Sequence, residues 1–225
     1  MKFTTTVALV LAAGTVAATG AQAKQGDVLV RVRAINVMPQ EKSGPILPGT
    51  TTSPDISANK VSVNNTVTPE VDFTYMVTDN IGLEVIAGTA RHTVSGVGPA
   101  IGGAKLVETN VLPPTLTAQY HLAPEGAFRP YVGVGVNYST FFNTKAQSDL
   151  VGVAGPTKVK MKDSFGWAAQ VGFDIPVNDK FFVNFDAKYI DIRTTATLTT
   201  RDLGVQKVKV DLNPIVLGVG IGTKF

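Results

Sequence analysis

The 225-residue chain has no cysteine and only two histidines, His92 and His121. The lack of cysteine excludes disulfides, zinc sites built on thiolates and a cysteine nucleophile. Beyond the first 23 residues, no segment holds about 18 consecutive apolar residues, so no transmembrane helix is expected. Charge is also scarce, with 20 lysines and arginines against 17 aspartates and glutamates. The net charge of +3 indicates no particular partner, and we expect no nucleic-acid binding.

Signatures of catalysis and of cofactor binding are missing as well. The chain contains no HExxH, GxSxG or Walker sequence. Its glycine-rich segments GVGVN and GVGIG lie within strand patterns and are not followed by a helix, so they do not predict a nucleotide site. We therefore expect no metal, no cofactor and no enzyme activity.

The first 23 residues have the pattern of a secretory signal peptide. Lys2 provides the positive start, residues 3–18 are mostly apolar and small, and Ala21-Gln22-Ala23 fits an A-x-A cleavage site. We expect residues 1–23 to be removed on export, which leaves residues 24–225 as the mature domain.

Eight later segments alternate large apolar residues with small or polar ones, the period of two that indicates a β-strand. They cover residues 26–37, 69–77, 81–90, 112–122, 129–142, 164–175, 180–192 and 213–225. In the last segment, Ile215, Leu217, Val219 and Ile221 alternate with glycines. This pattern fits the last strand of a soluble sandwich, and it also fits a small barrel with aliphatics in lipid and glycines in a crowded interior.

The connections between the segments favour the barrel. Short turns at 78–80, 123–127 and 177–180 alternate strictly with long connections at 40–68, 95–108, 143–163 and 199–207. Short periplasmic turns and long extracellular loops are typical of outer-membrane barrels. The sequence therefore predicts an all-β fold, an eight-stranded antiparallel transmembrane β-barrel in outer-membrane lipid. The aromatic residues predicted at the ends of its strands are Tyr75, Tyr120, Tyr138, Phe141, Phe142, Phe165, Trp167, Phe181 and Tyr189.

Polar residues are predicted to collect inside the periplasmic half of this barrel. This predicted plug comprises Arg31, Arg33, Asp72, Glu84, Gln119, His121, Asp174, Asp186 and, slightly higher, Lys188. The charges should pair because an eight-stranded barrel is barely wide enough for its own side chains. The plug either merely fills the barrel or also prevents straight passage to the periplasm. Inward-facing positions in the extracellular half of the barrel, such as Ile35 and Val37, are uncharged.

Two features of the outer half point to possible routes for a solute. Proline lacks the N–H that joins strands, so Pro113-Pro114 in the fourth segment either marks a strand start or opens the wall towards the outer leaflet. The first long loop carries Ile46, Leu47 and Ile56, which fit an apolar mouth and fit a receptor surface equally well.

Several segments resemble the OmpW family, which includes the AlkL-type proteins. They are LPPTLTAQYHL, FRPYVGVGVNYSTFF, KYIDIRTTATL and VKVDLNPIVLGVGIGTKF, and LVRVRAINVMPQEKSG fits the same pattern near the start. The resemblance extends from about Gly26 to Phe225. It implies a monomeric eight-stranded barrel with a narrow interior that admits small hydrophobic molecules.

The function predicted from these observations is passive uptake of small hydrophobic solutes, with lateral release into the membrane. The first alternative is a structural, adhesive or receptor barrel with a closed lumen, acting through its extracellular loops. A lipid-modifying enzyme is less favoured because no catalytic set accompanies either histidine. Phe225, on the lipid-facing register, is expected to be read by the barrel assembly machinery during biogenesis.

Overall fold

The computed structural model describes residues 23–225, and all but the last residue of the predicted signal peptide lies outside them. The strands are β1 (Val28–Met38), β2 (Lys42–Ser43), β3 (Leu47–Pro48), β4 (Lys60–Val63), β5 (Thr66–Met76), β6 (Ile81–Gly88), β7 (Ala90–Val97), β8 (Lys105–Leu112), β9 (Thr115–His121), β10 (Arg129–Ala146), β11 (Thr157–Met161), β12 (Ser164–Pro176), β13 (Phe181–Ile190), β14 (Arg193–Thr200), β15 (Val205–Asp211) and β16 (Ile215–Lys224). One helix, α1, covers Ser148–Ala154. No helix within residues 23–225 is both long and apolar enough to cross a membrane.

Eight of these strands close into an antiparallel barrel. Their order around the barrel is β12, β13, β16, β1, β5, β6, β9 and β10, and β10 pairs again with β12 to complete the circle. Each of the eight predicted segments overlaps one of these strands, so the predicted fold is confirmed. The short turns join β5 to β6, β9 to β10 and β12 to β13, as the alternation of loop lengths indicated.

The outer surface of the barrel is apolar and its inner surface is polar. On β10, the outward-facing Val134 is 67% exposed, whereas the inward-facing Asn137 is buried. The lipid-facing belt ends near Tyr138, Trp167 and Tyr189, and the rings of Trp167 and Tyr189 lie 5.1 Å apart. Chain beyond this level is extracellular.

Phe141 is an exception to the predicted aromatic belt. It lies on the inward register of β10, as Asn137 and Ser139 do, and packs against the interior apolar cluster. Its neighbour Phe142 faces outwards and is partly exposed. Strict alternation therefore places only one of these two consecutive aromatics on the lipid side.

The long connections are ordered, which the sequence reading did not anticipate. Upper β10 continues into a sheet with β8, β7 and β4, while β11, β14, β15 and β2 form a second sheet, with β3 also paired to β15. Their inward faces carry buried apolar residues such as Val61, Val107, Val208 and Val210. The barrel therefore extends outwards as an apolar chamber above the membrane.

Glycines of β16 make room for arginines inside the barrel. Arg33 lies opposite Gly220, and Arg31 lies opposite Gly222. A Cβ at Gly220 would overlap the carbonyl oxygen of Val32 and come within 2.8 Å of the Arg33 Cγ. The glycines on the inward face of β16 thus leave room for two large cationic side chains in a narrow barrel.

The assignment of lipid and lumen faces is tested by Val134→Arg. We expect it to lower the free energy of unfolding in lipid vesicles by about 2–4 kcal/mol, because it places a cation near the bilayer midplane. Val153→Arg is the matched control, since Val153 is similarly exposed, at 63%, but lies on the extracellular helix α1. Urea unfolding in lipid measures both, and equal stability of the two variants would contradict the assigned faces.

Candidate functional site

The interior of the barrel has two parts, an ionic network below and an apolar cavity above. The network begins with Arg31 on β1, whose side chain is fully buried. Its guanidinium lies 3.1 Å from the Asp72 carboxylate and 2.9 Å from that of Asp174, and it donates a 2.8 Å hydrogen bond to Thr74 Oγ1. Arg31 therefore links strands on opposite sides of the barrel.

Arg33, two residues along the same strand, is the centre of the network. It lies within 3.3 Å of four carboxylates: Glu70 at 3.1 Å, Glu84 at 3.1 Å, Asp186 at 3.3 Å, and Asp72. These residues come from β5, β6 and β13, so one side chain connects three other strands. Both partners of each ion pair are buried, so removing either one leaves an uncompensated charge inside the barrel.

Lys188 forms the top of the network. Its ammonium lies 2.7 Å from Glu70 and 3.1 Å from Asp186. Glu70 and Lys188 also line the cavity above, so this ion pair is its floor. Glu70 shares the inward register of Asp72 on β5, although the predicted plug did not include it.

Uncharged residues complete the hydrogen bonding of the carboxylates. Tyr131 donates to Asp186 over 2.9 Å and accepts from Asn184 over 3.0 Å. Gln170 donates to Glu84 over 2.7 Å. The Tyr131 side chain is fully buried, and its position between the inward residues Arg129 and Gly133 is the signal that would have identified it.

All nine residues of the predicted plug are buried inside the barrel, but they do not form one network. The seven charged residues are linked by ion pairs. Gln119 and His121 instead bond to each other, with Nε2 of His121 3.1 Å from Oε1 of Gln119, and the imidazole packs on Tyr131 with ring centroids 5.3 Å apart. They lie at the periplasmic end of β9, where Leu29, Met76 and Phe182 form a separate buried apolar cluster.

Above the network, a cavity of about 150 Å³ has an almost entirely apolar surface, although polar residues such as Glu70 and Lys188 also reach it. Ile35, Val37 and Ile190 form its lower wall, and Leu106 and Leu150 contribute from the extracellular sheet and from α1. Ile46 and Ile56 of the first long loop line it, whereas Leu47 points away and is half-exposed. Two of these three loop residues therefore line the cavity, and the third does not.

His92 is a polar group on the wall of this cavity, above the lipid-facing belt. Burial lowers the pKa of His92, and its Nδ1 lies 3.0 Å from the carbonyl oxygen of Asn64, a contact that opposes the shift. The lowered pKa favours a neutral imidazole at neutral pH. The cavity wall therefore stays uncharged at this position.

The barrel wall is interrupted beside the cavity. Strand pairing between β6 and β9 stops at Ile86 and Thr115, and pairing resumes between β7 and β8 at Ala90 and Val111. Across residues 23–225, no backbone hydrogen bond joins positions 87–89 to positions 112–114. We call this interruption the wall gap.

Pro113 and Pro114 form one side of the wall gap, between β8 and β9. Their carbonyl oxygens each accept a 3.2 Å hydrogen bond from Nδ2 of Asn137, on the neighbouring strand away from the gap. Gly88 and Thr89 form the other side, and both line the cavity together with Pro113. The cavity therefore reaches the gap from inside.

Two remaining expectations concern chemistry and assembly. In the part of the chain described here, no three histidine, aspartate or glutamate side chains are grouped to hold a metal ion. Phe225 follows β16 on the lipid-facing register, is 75% exposed, and exchanges backbone hydrogen bonds of 2.9 Å with Val28. Its role as an assembly signal stays a prediction.

A closed antiparallel barrel with an apolar belt outside and a polar network inside defines an integral outer-membrane β-barrel protein. The OmpW family model matches residues 24–225, and the chain belongs to this family. Outer membrane protein W of Vibrio cholerae serotype O1 is 36% identical over 205 residues, 90% of each chain.

Solved structures agree with this assignment. The crystal structure of OprG from Pseudomonas aeruginosa has a TM-score of 0.83 and 33% identity, covering 92% of this chain and 98% of OprG. The solid-state NMR structure of AlkL in DMPC bilayers has a TM-score of 0.62 and 26% identity, covering 99% of this chain and 97% of AlkL. These relatives are outer-membrane barrel proteins rather than enzymes, and the protein is placed in the outer membrane.

Proposed function

We propose that the protein mediates passive uptake of small hydrophobic molecules, which enter the chamber from outside and leave sideways into the membrane. The observation that carries this proposal is the apolar cavity that reaches the wall gap from inside and rests on a charged floor. Each of the three parts supplies one step of the route.

Entry is supported by the chemistry of the cavity. The free energy of an apolar solute falls by about 25 cal/mol for each Å² of its surface that moves from water into an apolar site. A polar solute loses hydrogen bonds to water and finds few partners on this lining. The chamber therefore selects for apolar molecules without any specific contact.

The ionic network makes a straight path to the periplasm unfavourable. A solute would have to separate Lys188 from Glu70 and then displace Arg33 from its carboxylates. Breaking buried ion pairs of this kind costs several kcal/mol. An apolar molecule has no charged group that could replace the broken ion pairs.

The wall gap supplies the remaining exit. No ladder hydrogen bonds have to break there, and two prolines cannot donate to new ones. The gap lies at the upper edge of the lipid-facing belt, at the level of Tyr138, whose N–H donates to the Pro114 carbonyl over 3.1 Å. A solute leaving there enters the outer leaflet.

Filling the cavity tests this function. Ala90 is buried beside the gap and lines the cavity, so Ala90→Trp should occupy the solute's space and lower uptake several-fold. Arg91→Trp is the matched control, because the Arg91 side chain is 67% exposed on the outside of the same strand. The measurement is the rate at which a naphthyl dye becomes fluorescent in the membranes of intact cells, at matched protein levels.

Each outcome has a defined meaning. Uptake that falls with Ala90→Trp and holds with Arg91→Trp supports the cavity as the route. Equal dye uptake by cells with and without the wild-type protein would favour the alternative of a structural, adhesive or receptor barrel with a closed lumen.

A further inference from the structure

The second extracellular sheet has two unlike faces. Its inner face, with Val159, Ala196, Leu198 and Val208, belongs to the apolar chamber. Its outer face carries five exposed lysines, namely Lys158, Lys160, Lys162, Lys207 and Lys209. We call these five residues the lysine face. Alternation along β11 and β15 places four of them on one side of the sheet, and Lys162 continues the same alternation one residue beyond β11.

The lysines form rows with threonines between them. Thr197 of β14 lies between Lys160 of β11 and Lys207 of β15. In the next row, Thr195 lies opposite Lys209, and its carbonyl oxygen accepts a 3.2 Å hydrogen bond from the Lys162 backbone N–H. Adjacent strands are about 4.8 Å apart, so the two lysine backbones of a row are about 10 Å apart. Each row offers two cations and a hydroxyl to one anion.

The charges of this face are not neutralised by carboxylates. Among the ion pairs of residues 23–225, none involves the five lysines. Two nearby acidic residues are engaged elsewhere, since Asp163 accepts a 2.8 Å hydrogen bond from the Tyr138 hydroxyl and Asp202 pairs with Arg201. The third, Asp211, shares the outward register of Lys209 but lies opposite Arg193 and Lys42, at the end of the sheet. Clustered like charges repel, so such a face is stabilised by an anion.

The face begins just above the membrane. Lys162 is three residues before Phe165, which is 75% exposed on the lipid side of β12. At about 3.3 Å per residue, the Lys162 backbone lies about 10 Å from that of Phe165 along the chain, on the extracellular side. Aromatic belts lie at the level of the lipid headgroups, so the lysine face starts at the outer edge of the headgroup layer.

We propose that the lysine face binds the phosphate groups of lipopolysaccharide in the outer leaflet. Ammonium groups bind phosphate as point charges, and the threonine hydroxyls between them add hydrogen bonds. The face lies over β12 and β13, across the barrel from the wall gap between β6 and β9. Lipid held there leaves the exit side of the wall free.

The test uses the full chain in phosphatidylcholine nanodiscs. The probe is deacylated lipopolysaccharide that keeps its phosphates, so that it cannot partition into the bilayer. The variant K160Q/K162Q/K207Q/K209Q is compared with K60Q/K105Q/K145Q/K180Q, which removes the same charge from four exposed lysines outside the lysine face. Heat-modifiable migration on gels establishes that both variants are folded barrels.

We expect the lysine-face variant to bind the probe at least tenfold more weakly and the control to stay within twofold of wild type. Phosphatase-treated probe should bind wild type as weakly as native probe binds the variant. Equal weakening by both variants, or undiminished binding of the phosphatase-treated probe, would overturn the proposal. Binding of inorganic phosphate as tight as that of the probe would also overturn it, because the face would then be a general anion site.

Discussion

Arg33→Met is expected to lower the free energy of unfolding in lipid by about 3–5 kcal/mol, the usual effect of removing one partner from a buried ionic cluster. The change leaves Glu70, Asp72, Glu84 and Asp186 facing one another without the guanidinium that lies among them. Methionine keeps much of the side-chain volume, so the loss reports charge rather than a cavity. Urea unfolding in lipid vesicles measures it.

Arg91→Met is the control for this experiment. Arg91 makes an exposed ion pair with Glu108 at 3.7 Å, and such pairs contribute about 0–1 kcal/mol. A loss of similar size in both variants would show that the network does not stabilise the barrel. If Arg33→Met still inserts, its uptake of an apolar solute should match wild type, since the proposed route leaves above the network.

The strands of the barrel were predictable because lipid and lumen impose opposite chemistry on alternate residues. In β10, Val132, Val134 and Val136 face lipid while Gly133 and Asn137 face inwards, and few other environments produce that pattern over a whole strand. The alternation of short and long connections then fixed the direction of every strand.

The extracellular sheets were not predictable in the same way. β14 is rich in threonine, and β8 carries Glu108, Thr109 and Asn110 in succession, so the contrast between the two faces of each strand is weak. Each sheet also joins segments that lie far apart in the sequence, as in the pairing of Gln206 with Pro48. Strand pairing over such distances depends on tertiary packing, which a local pattern does not contain.

Only part of the ionic network and only one side of the wall gap could be predicted from the sequence. Alternation placed Arg33 and three of its four carboxylate partners inside the barrel, but which carboxylates surround Arg33 became clear only from the order of strands in the closed sheet. Pro113-Pro114 pointed to an interruption because proline cannot donate a ladder hydrogen bond. The opposite side, at Gly88 and Thr89, carries no such signal.

The most direct test of lateral release is to lock the wall gap. By the register on either side, Gly88 lies opposite Pro113, and both line the cavity. The chain has no cysteine, so Gly88→Cys with Pro113→Cys introduces its only two thiols. A disulfide between them would hold the two sides of the gap at about the separation of paired antiparallel strands, and so would close it. The control, Val94→Cys with Val107→Cys, links two residues that are already paired across β7 and β8.

Uptake of the naphthyl dye by intact cells is then measured before and after reduction, with disulfide formation followed by thiol labelling. We expect the oxidised gap variant to transport no faster than cells without the protein, and reductant to restore its wild-type rate. The control should transport equally in both states. Wild-type uptake by the gap variant with its disulfide fully formed would contradict lateral release through the wall.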